Sequence, residues 1–278
     1  FPGGSTAHPQ AYALLGDLRL PEACWDLADG VVGLEAHNNT GHLSYLFGQL
    51  KIGGWWYFYL VALAVKTPIS LLITGLAGLY LLARDGWHQK RSWPMAPVLL
   101  FLTILIFSSL FSRINIGIRH VLILYPFLAL GSAYALRYLW QSWAILGKAL
   151  SIMLVGWQVS ALITAYPDYF PYFNEAVRHP EHVLVDSDLD WGQDLRRLER
   201  RLDELKVPNI ELAYQGTADL SKEPLPPFHR LPPRQPATGW VAITALTREH
   251  ESAGYAWLGA YRPVERVGKT IDLYFIPP

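Results

Sequence analysis

The sequence predicts an α-helical polytopic membrane region of about four spans followed by a small soluble α/β domain. Three observations carry that prediction. Charge is scarce, 17% of residues against roughly 25% in an ordinary soluble domain, and it is unevenly placed: long stretches between Ile52 and Tyr166 have almost none, while the chain after Asp168 reads like a soluble protein. Three long uncharged apolar runs fall in the charge-poor part. Beyond it the apolar pattern runs strand, helix, strand, the order of a small α/β unit.

A span needs roughly 20 apolar residues to cross ~30 Å of hydrocarbon. The runs Pro94 to Phe111, Val121 to Leu136 and Ala149 to Tyr166 supply three. With flanking residues they predict spans 94–111, 117–139 and 145–166, the long side chains of Arg119 and Arg137 snorkelling at the ends of the middle one. Residues 52–83 differ, because Lys66 is their one charge. As a single helix they would measure about 48 Å at 1.5 Å per residue, and Pro68 removes a helical hydrogen bond. The rings of Trp55, Trp56, Tyr57, Phe58 and Tyr59 suit a membrane–water boundary. This stretch therefore reads as a broken or strongly tilted span entering at its aromatic end.

The predicted organisation is residues 1–51 as an external loop and helical segment, 52–166 as the membrane region, and 167–278 as an extracytoplasmic α/β domain. Arg84, Lys90 and Arg91 follow the first span, and Arg137 and Lys148 follow the third. The positive-inside rule places those loops in the cytoplasm and the remainder outside. Pro21 to Glu35 can form a helix, and Asn38-Asn39-Thr40 matches a glycosylation acceptor. The first residue is Phe and no basic-headed signal peptide is present, so further sequence is expected ahead of it. Zero net charge gives no case for nucleic acid. Cys24 as the sole cysteine excludes an internal disulfide and a cysteine-based zinc site.

In the soluble part, His182 to Val185, Asn209 to Tyr214, Trp240 to Ala245 and Thr270 to Ile276 are strand candidates. Leucines 195, 198, 202 and 205 make one apolar helix face. Pro224 to Pro236 reads as a proline-rich connector.

Three places could carry chemistry. Lys66-Thr67-Pro68 puts a cation in an apolar stretch, where it either meets a partner such as a phosphate or snorkels to the interface. Arg119-His120 opens the third span, and its guanidinium either grips a phosphate through two parallel hydrogen bonds or anchors a membrane boundary. Tyr125-Pro126 further in can shape a bend. The acidic run holds Asp186, Asp188, Asp190, Trp191, Gln193 and Asp194. It departs from a helix–loop–helix calcium loop, because Gly192 is seventh instead of sixth and Arg197 stands twelfth where Glu is needed. Helix capping, a divalent metal or polar ligand, and contact with the membrane region all remain open for it.

Several motifs in order resemble the rear membrane half of bacterial proteins of glycosyltransferase family 39, which are similar to dolichyl-phosphate-mannose–protein mannosyltransferases. They are Gly41-His42-Leu43-Ser44-Tyr45-Leu46-Phe47-Gly48, Gly54-Trp55-Trp56-Tyr57-Phe58, Val65-Lys66-Thr67-Pro68, Ile118-Arg119-His120 with Leu124-Tyr125-Pro126-Phe127, Tyr172-Phe173-Asn174-Glu175, and Asp186 through Leu195. Asp188 stands where the family pattern has Asn. The resemblance covers roughly residues 20–215. It implies the C-terminal portion of a larger multi-span glycosyltransferase fold in the plasma (inner) membrane. That enzyme would transfer a sugar, mannose by default, from a polyprenyl-phosphate carrier to a hydroxyl acceptor on the outer face. The catalytic acid is expected upstream of residue 1. The substrate-binding set expected here is Lys66, Arg119, His120, Tyr45 and His37, with membrane lipid as a partner. No cofactor is implied beyond the open question of a divalent metal. The competing class is a non-catalytic membrane protein whose external domain binds a glycan, peptide or metal.

Overall fold

The computed structural model describes residues 21–278. The first twenty residues of the predicted external segment, with their FPGG and HPQ runs, lie outside the described residues. Helix α1 spans Glu22–Thr40, longer than the predicted 21–35, and is followed by a hairpin of β1 (Leu43–Leu46) and β2 (Gln49–Ile52). Its two-residue turn has φ of 50° at Phe47 and 76° at Gly48. Positive φ at both central positions matches the right-handed twist of the flanking strands.

The stretch 52–83 is not one span. Ile52 ends the hairpin, and two helices follow: α2 (Phe58–Lys66) and α3 (Ile69–His88). The break falls at Thr67-Pro68, and the reason is local. Pro68 has no N–H to give the carbonyl of Ala64. The side chain of Asn174 supplies it instead: Nδ2 donates to Ala64 O at 2.6 Å and to Thr67 O at 2.8 Å, and the Asn174 backbone N–H donates to Val65 O at 2.9 Å. The predicted break is present, but the aromatic end leads into α2 and not directly into a span.

Four helical stretches are long and apolar enough to cross a membrane: α3, Trp93–Phe111, Ile118–Ser142 and Ala144–Ala165. The second consists of a 3-10 turn and α4 (Ala96–Phe111). The third opens as a 3-10 helix, Ile118–Leu124, and becomes α5 (Tyr125–Ser142) with Pro126 in its first turn. There proline costs no hydrogen bond, so the expected bend is a change of helix type. The fourth is α6 (Ala144–Ala165). Ile106, Phe107, Leu110, Ile152, Met153, Leu162 and Ile163 point outward and are exposed. Such continuous apolar surface suits hydrocarbon and is unfavourable in water.

Between α3 and α5 the packing is backbone on backbone. A Cβ on Gly78 would run into the Gly131 carbonyl, and one on Gly131 into the Gly75 carbonyl. Small residues permit that approach, and Thr74 Oγ1 and Ser132 Oγ hydrogen-bond across it at 2.8 Å. Ser70 Oγ donates to Gln158 Oε1 on α6 at 2.7 Å, and the Tyr134 hydroxyl donates to Asp85 at 2.6 Å.

The C-terminal part is a five-stranded mixed sheet in the order β4-β3-β5-β7-β6. Its strands are β3 (Ile210–Ala213), β4 (Phe228–Arg230), β5 (Gly239–Thr244), β6 (Glu265–Val267) and β7 (Ile271–Ile276). β3 runs parallel to β4 and β5, whereas β7 is antiparallel to β5 and β6. Helix α7 (Asp186–Leu189) is a single turn, and α8 (Leu195–Glu204) lays Leu195, Leu198 and Leu202 on Leu212, Ala242, Ile271 and Leu273, as its leucine spacing predicts. A last helix, α9 (Ala245–His250), begins where the predicted third strand ends. Two predictions fail here. The proline-rich connector contains β4. His182 to Val185 is not a strand, because Pro180 opens a 3-10 turn and Leu184 is buried in the helical core, not the sheet.

Gly78→Val should therefore lower the unfolding free energy of the full chain in detergent by about 3 kcal/mol, an overpacking cost. Gly156→Val, at a position with nothing within 4 Å of a new Cβ, should stay within about 0.5 kcal/mol. Thermal unfolding of the two variants side by side checks the difference.

Candidate functional site

The seam between the helical part and the sheet domain gathers most of the residues singled out by sequence. Its centre is Lys66, which is 8% exposed. The ammonium donates to the carbonyl of Asp188 at 2.6 Å and of Phe170 at 2.9 Å, and lies 4.4 Å from the centre of the Phe173 ring. Lys66 was expected either to meet a partner such as a phosphate or to snorkel to the interface; these contacts make it a pin between the end of α2 and the sheet domain. Asp188 completes the joint. It is 3% exposed, its Oδ1 accepts the N–H of Ile118 at 2.9 Å, and the neighbouring Ser187 hydroxyl donates to the Ile116 carbonyl. Burial pushes the Asp188 carboxyl up to about 6, against the opposing pull of Lys66.

The rest of the acidic run divides by what each carboxylate touches. Asp190 Oδ1 accepts from Gly192 N–H at 3.1 Å and Oδ2 from Leu246 N–H at 3.3 Å, at the start of α9. Asp194 Oδ2 accepts from the N–H groups of Lys269 and Thr270 and from the Thr270 hydroxyl, while its Oδ1 pairs with Arg197 at 2.8 Å. Asp194 thus fastens α8 to the β6–β7 turn. Gln193 folds back, donating to Leu189 O and accepting from Trp191 N–H. Contact with the helical part, one of the readings left open, describes Asp188; capping of the helix that follows does not hold, because Asp194 at the N-cap of α8 makes no side-chain cap hydrogen bond. Among the described residues no group of three or more His, Cys, Asp or Glu is arranged to hold a metal ion.

Asp186 is the exception. It has φ of 25°, a strained value for a non-glycine residue, and its carboxylate lies 4.0 Å from His42 Nε2. Burial holds its carboxyl above the usual range, with His250 and His42 opposing. His42 meets His37 edge-on at 5.4 Å, and His250 stacks on Tyr45 at 6.2 Å. Tyr45 itself is 2% exposed. Its hydroxyl lies 2.8 Å from the Glu181 carbonyl and 2.9 Å from Glu249 Oε2, so it pegs the hairpin to the sheet domain. His250 and Glu249 were not found from sequence, since nothing local in Leu246 to Glu251 marks them out. His42 stood in a quoted motif without a role.

Arg119 and His120 are exposed. The Arg119 guanidinium lies 5.3 Å from the Trp191 ring centre, and Trp191 stacks on Phe170 at 5.5 Å. Among the described residues Arg119 makes no ion pair. His120 lines a cavity of ≈ 400 Å³ between α1 and the end of α4, whose walls include Val31, Leu34, Phe107, Phe111, Ile114 and Tyr59. Asn38 closes that corner: its Nδ2 donates to Phe111 O at 3.0 Å and its Oδ1 accepts from Arg113 N–H at 2.7 Å. The amide nitrogen of the predicted glycosylation acceptor is thus engaged within the fold. No family model matches the chain, and no curated protein or solved structure matches it either.

The Asp188 carboxyl gives a pH dependence of definite sign. Its folded value of about 6 lies above the ordinary 3.8, so between those values the folded state holds more protons than the unfolded one. The contribution of this carboxyl to stability is then lost as pH rises through that window and changes little above it. Asp188→Asn, with no proton to release, should give a thermal midpoint that changes less between about pH 4 and 6 than that of the unaltered chain. Parallel midpoint curves for the two proteins would contradict this.

Proposed function

We propose that this chain is part of a multi-pass membrane glycosyltransferase that takes a sugar from a polyprenyl-phosphate carrier to a hydroxyl acceptor outside the membrane, and that this part holds the lipid phosphate. The observation that carries the reading is the position of Arg119-His120: an exposed pair, with no ion pair on the cation among the described residues, beside an apolar cavity flanking a helix long enough to span a membrane. An isoprenoid chain suits walls of Leu34, Phe107 and Phe111, and a phosphate suits a guanidinium already held over Trp191. When the sugar departs, negative charge grows on the phosphate oxygen. A fixed cation at that point stabilises the transition state more than the ground state.

In this proposal the phosphate-binding role stays with Arg119 and His120. Lys66 and Tyr45 become supports, the first fixing the joint beneath Arg119 and the second fixing the hairpin. The motifs resembling family 39 agree with this division, since Val65-Lys66-Thr67-Pro68 and Tyr172-Phe173-Asn174-Glu175 meet one another at the break after α2. Four apolar helices are compatible with a multi-pass membrane protein. The positive loops support an orientation with the hairpin, Arg119 and the sheet domain together outside.

The test is sugar transfer from synthetic polyprenyl-phosphate sugars by the full-length protein, with and without a chelator. Arg119→Ala should lower kcat by about 100-fold, the scale of losing one transition-state donor, and Arg119→Lys should recover part of it. Transfer unchanged by Arg119→Ala would overturn the phosphate assignment. No transfer from any common sugar donor would overturn the enzymatic reading in favour of a binding module.

A further inference from the structure

A second cavity, of ≈ 540 Å³, lies between the C-terminal end of α6 and the soluble domain, and the proposed transfer site does not use it. We propose that it binds the headgroup of a phospholipid bearing both a phosphate and a primary ammonium. The proposal rests on the reading that α6 crosses the membrane. Thr164 and Ala165 at the end of α6, with Tyr166 just beyond it, form one wall, so it sits where the chain leaves the apolar stretch. Tyr166, Tyr169 and Phe170 are exposed there, as rings at a membrane boundary are.

The charges lining the cavity select the ligand. Asp168 is neutralised by Arg197 at 2.7 Å, and Glu181 by Arg266 at 3.2 Å. Arg178, Lys269 and Glu175 also line it. Among the described residues none of these three side chains has an ion-pair partner; Glu175 accepts a hydrogen bond from Trp157 Nε1 at 3.1 Å. Two free cations suit the oxygens of a phosphate diester, and one free carboxylate suits an ammonium. Tyr172 lines the same cavity, and its buried hydroxyl has no hydrogen-bond partner among the described residues, a state that buried polar groups rarely keep. A headgroup with a glycerol in place of the amine leaves Glu175 unanswered. A choline cannot donate a hydrogen bond to it.

Native mass spectrometry of the full-length protein in detergent, titrated with phosphatidylethanolamine, phosphatidylglycerol and phosphatidylcholine, tests this. Phosphatidylethanolamine should bind about tenfold more tightly than the other two. Arg178→Ala with Lys269→Ala should remove that binding. Glu175→Gln should abolish the preference for phosphatidylethanolamine over phosphatidylglycerol while leaving phosphatidylglycerol bound. These side chains are exposed at the surface, and an unchanged elution volume shows that the variants fold. Equal binding of all three lipids, or binding unaffected by the double variant, overturns the site. Soluble phosphoethanolamine binding as tightly as the lipid overturns the lipid as its source. Alkaline extraction of native membranes separates the two readings: a chain that stays in the membrane without lipid preference sinks the headgroup site alone, and a chain that is extracted sinks the span.

Discussion

The structure hinges on a buried ammonium. Lys66 ends α2 one residue before the chain breaks, and its charge is satisfied by carbonyls of Phe170 and Asp188 that lie far along the sequence. Removing an ammonium from water costs several kcal/mol unless hydrogen bonds replace its hydration, so the helix end and the soluble domain hold each other in place. Asp188 extends the constraint through Ile118 N–H to the start of the third apolar stretch. Asn174 extends it to the Ala64 carbonyl that Pro68 leaves unpaired and to the neighbouring Thr67 carbonyl. A short polar network thus sets where α2, the 3-10 entry to α5 and the sheet domain meet.

That network explains why the acidic run is so dense. A metal would draw several carboxylates towards one point, whereas here they diverge. Asp188 reaches the helices, Asp190 the start of α9, and Asp194 the β6–β7 turn. Each mainly takes backbone N–H groups that would otherwise be buried without acceptors. Gly54 shows the same economy on the other side. It has φ of 60°, and a Cβ there would collide with Asn115, whose Oδ1 accepts the N–H of Trp55 at 2.7 Å. The aromatic stretch is therefore positioned by a polar loop as well as by its own preference for a boundary.

Much of the architecture was legible in sequence, and the failures share a cause. Long uncharged runs located three apolar helices closely, and leucine spacing located α8. The stretch 52–83 was seen to be broken at Pro68, but its first residue, Ile52, ends a hairpin whose strands have four residues each, too short for alternation to register. His182 to Val185 looked like a strand because four-residue apolar runs do not reveal which core takes them. Strands β4 and β6, with three residues each at the sheet edges, carry almost no pattern at all. Phe47 at φ 50° occupies a turn position where Asn or Gly would have announced the hairpin.

The candidate site was legible in its residues but not in their roles. Lys66 and Arg119 are both cations beside apolar sequence, and composition treats them alike. Their surroundings do not. Lys66 is enclosed, with two of its three N–H groups on carbonyl oxygens and the Phe173 ring beside it. Arg119 is exposed, is braced by Trp191, has no ion pair among the described residues, and adjoins a cavity lined by His120. A group that must meet a charged substrate has to keep its charge unspent until the substrate arrives, and of the two only Arg119 does. The enclosed cation is then the reason the exposed one stays put: Lys66 secures the Asp188 segment, which holds Ile118, the residue next to Arg119, and leads directly into Trp191, on which the guanidinium rests.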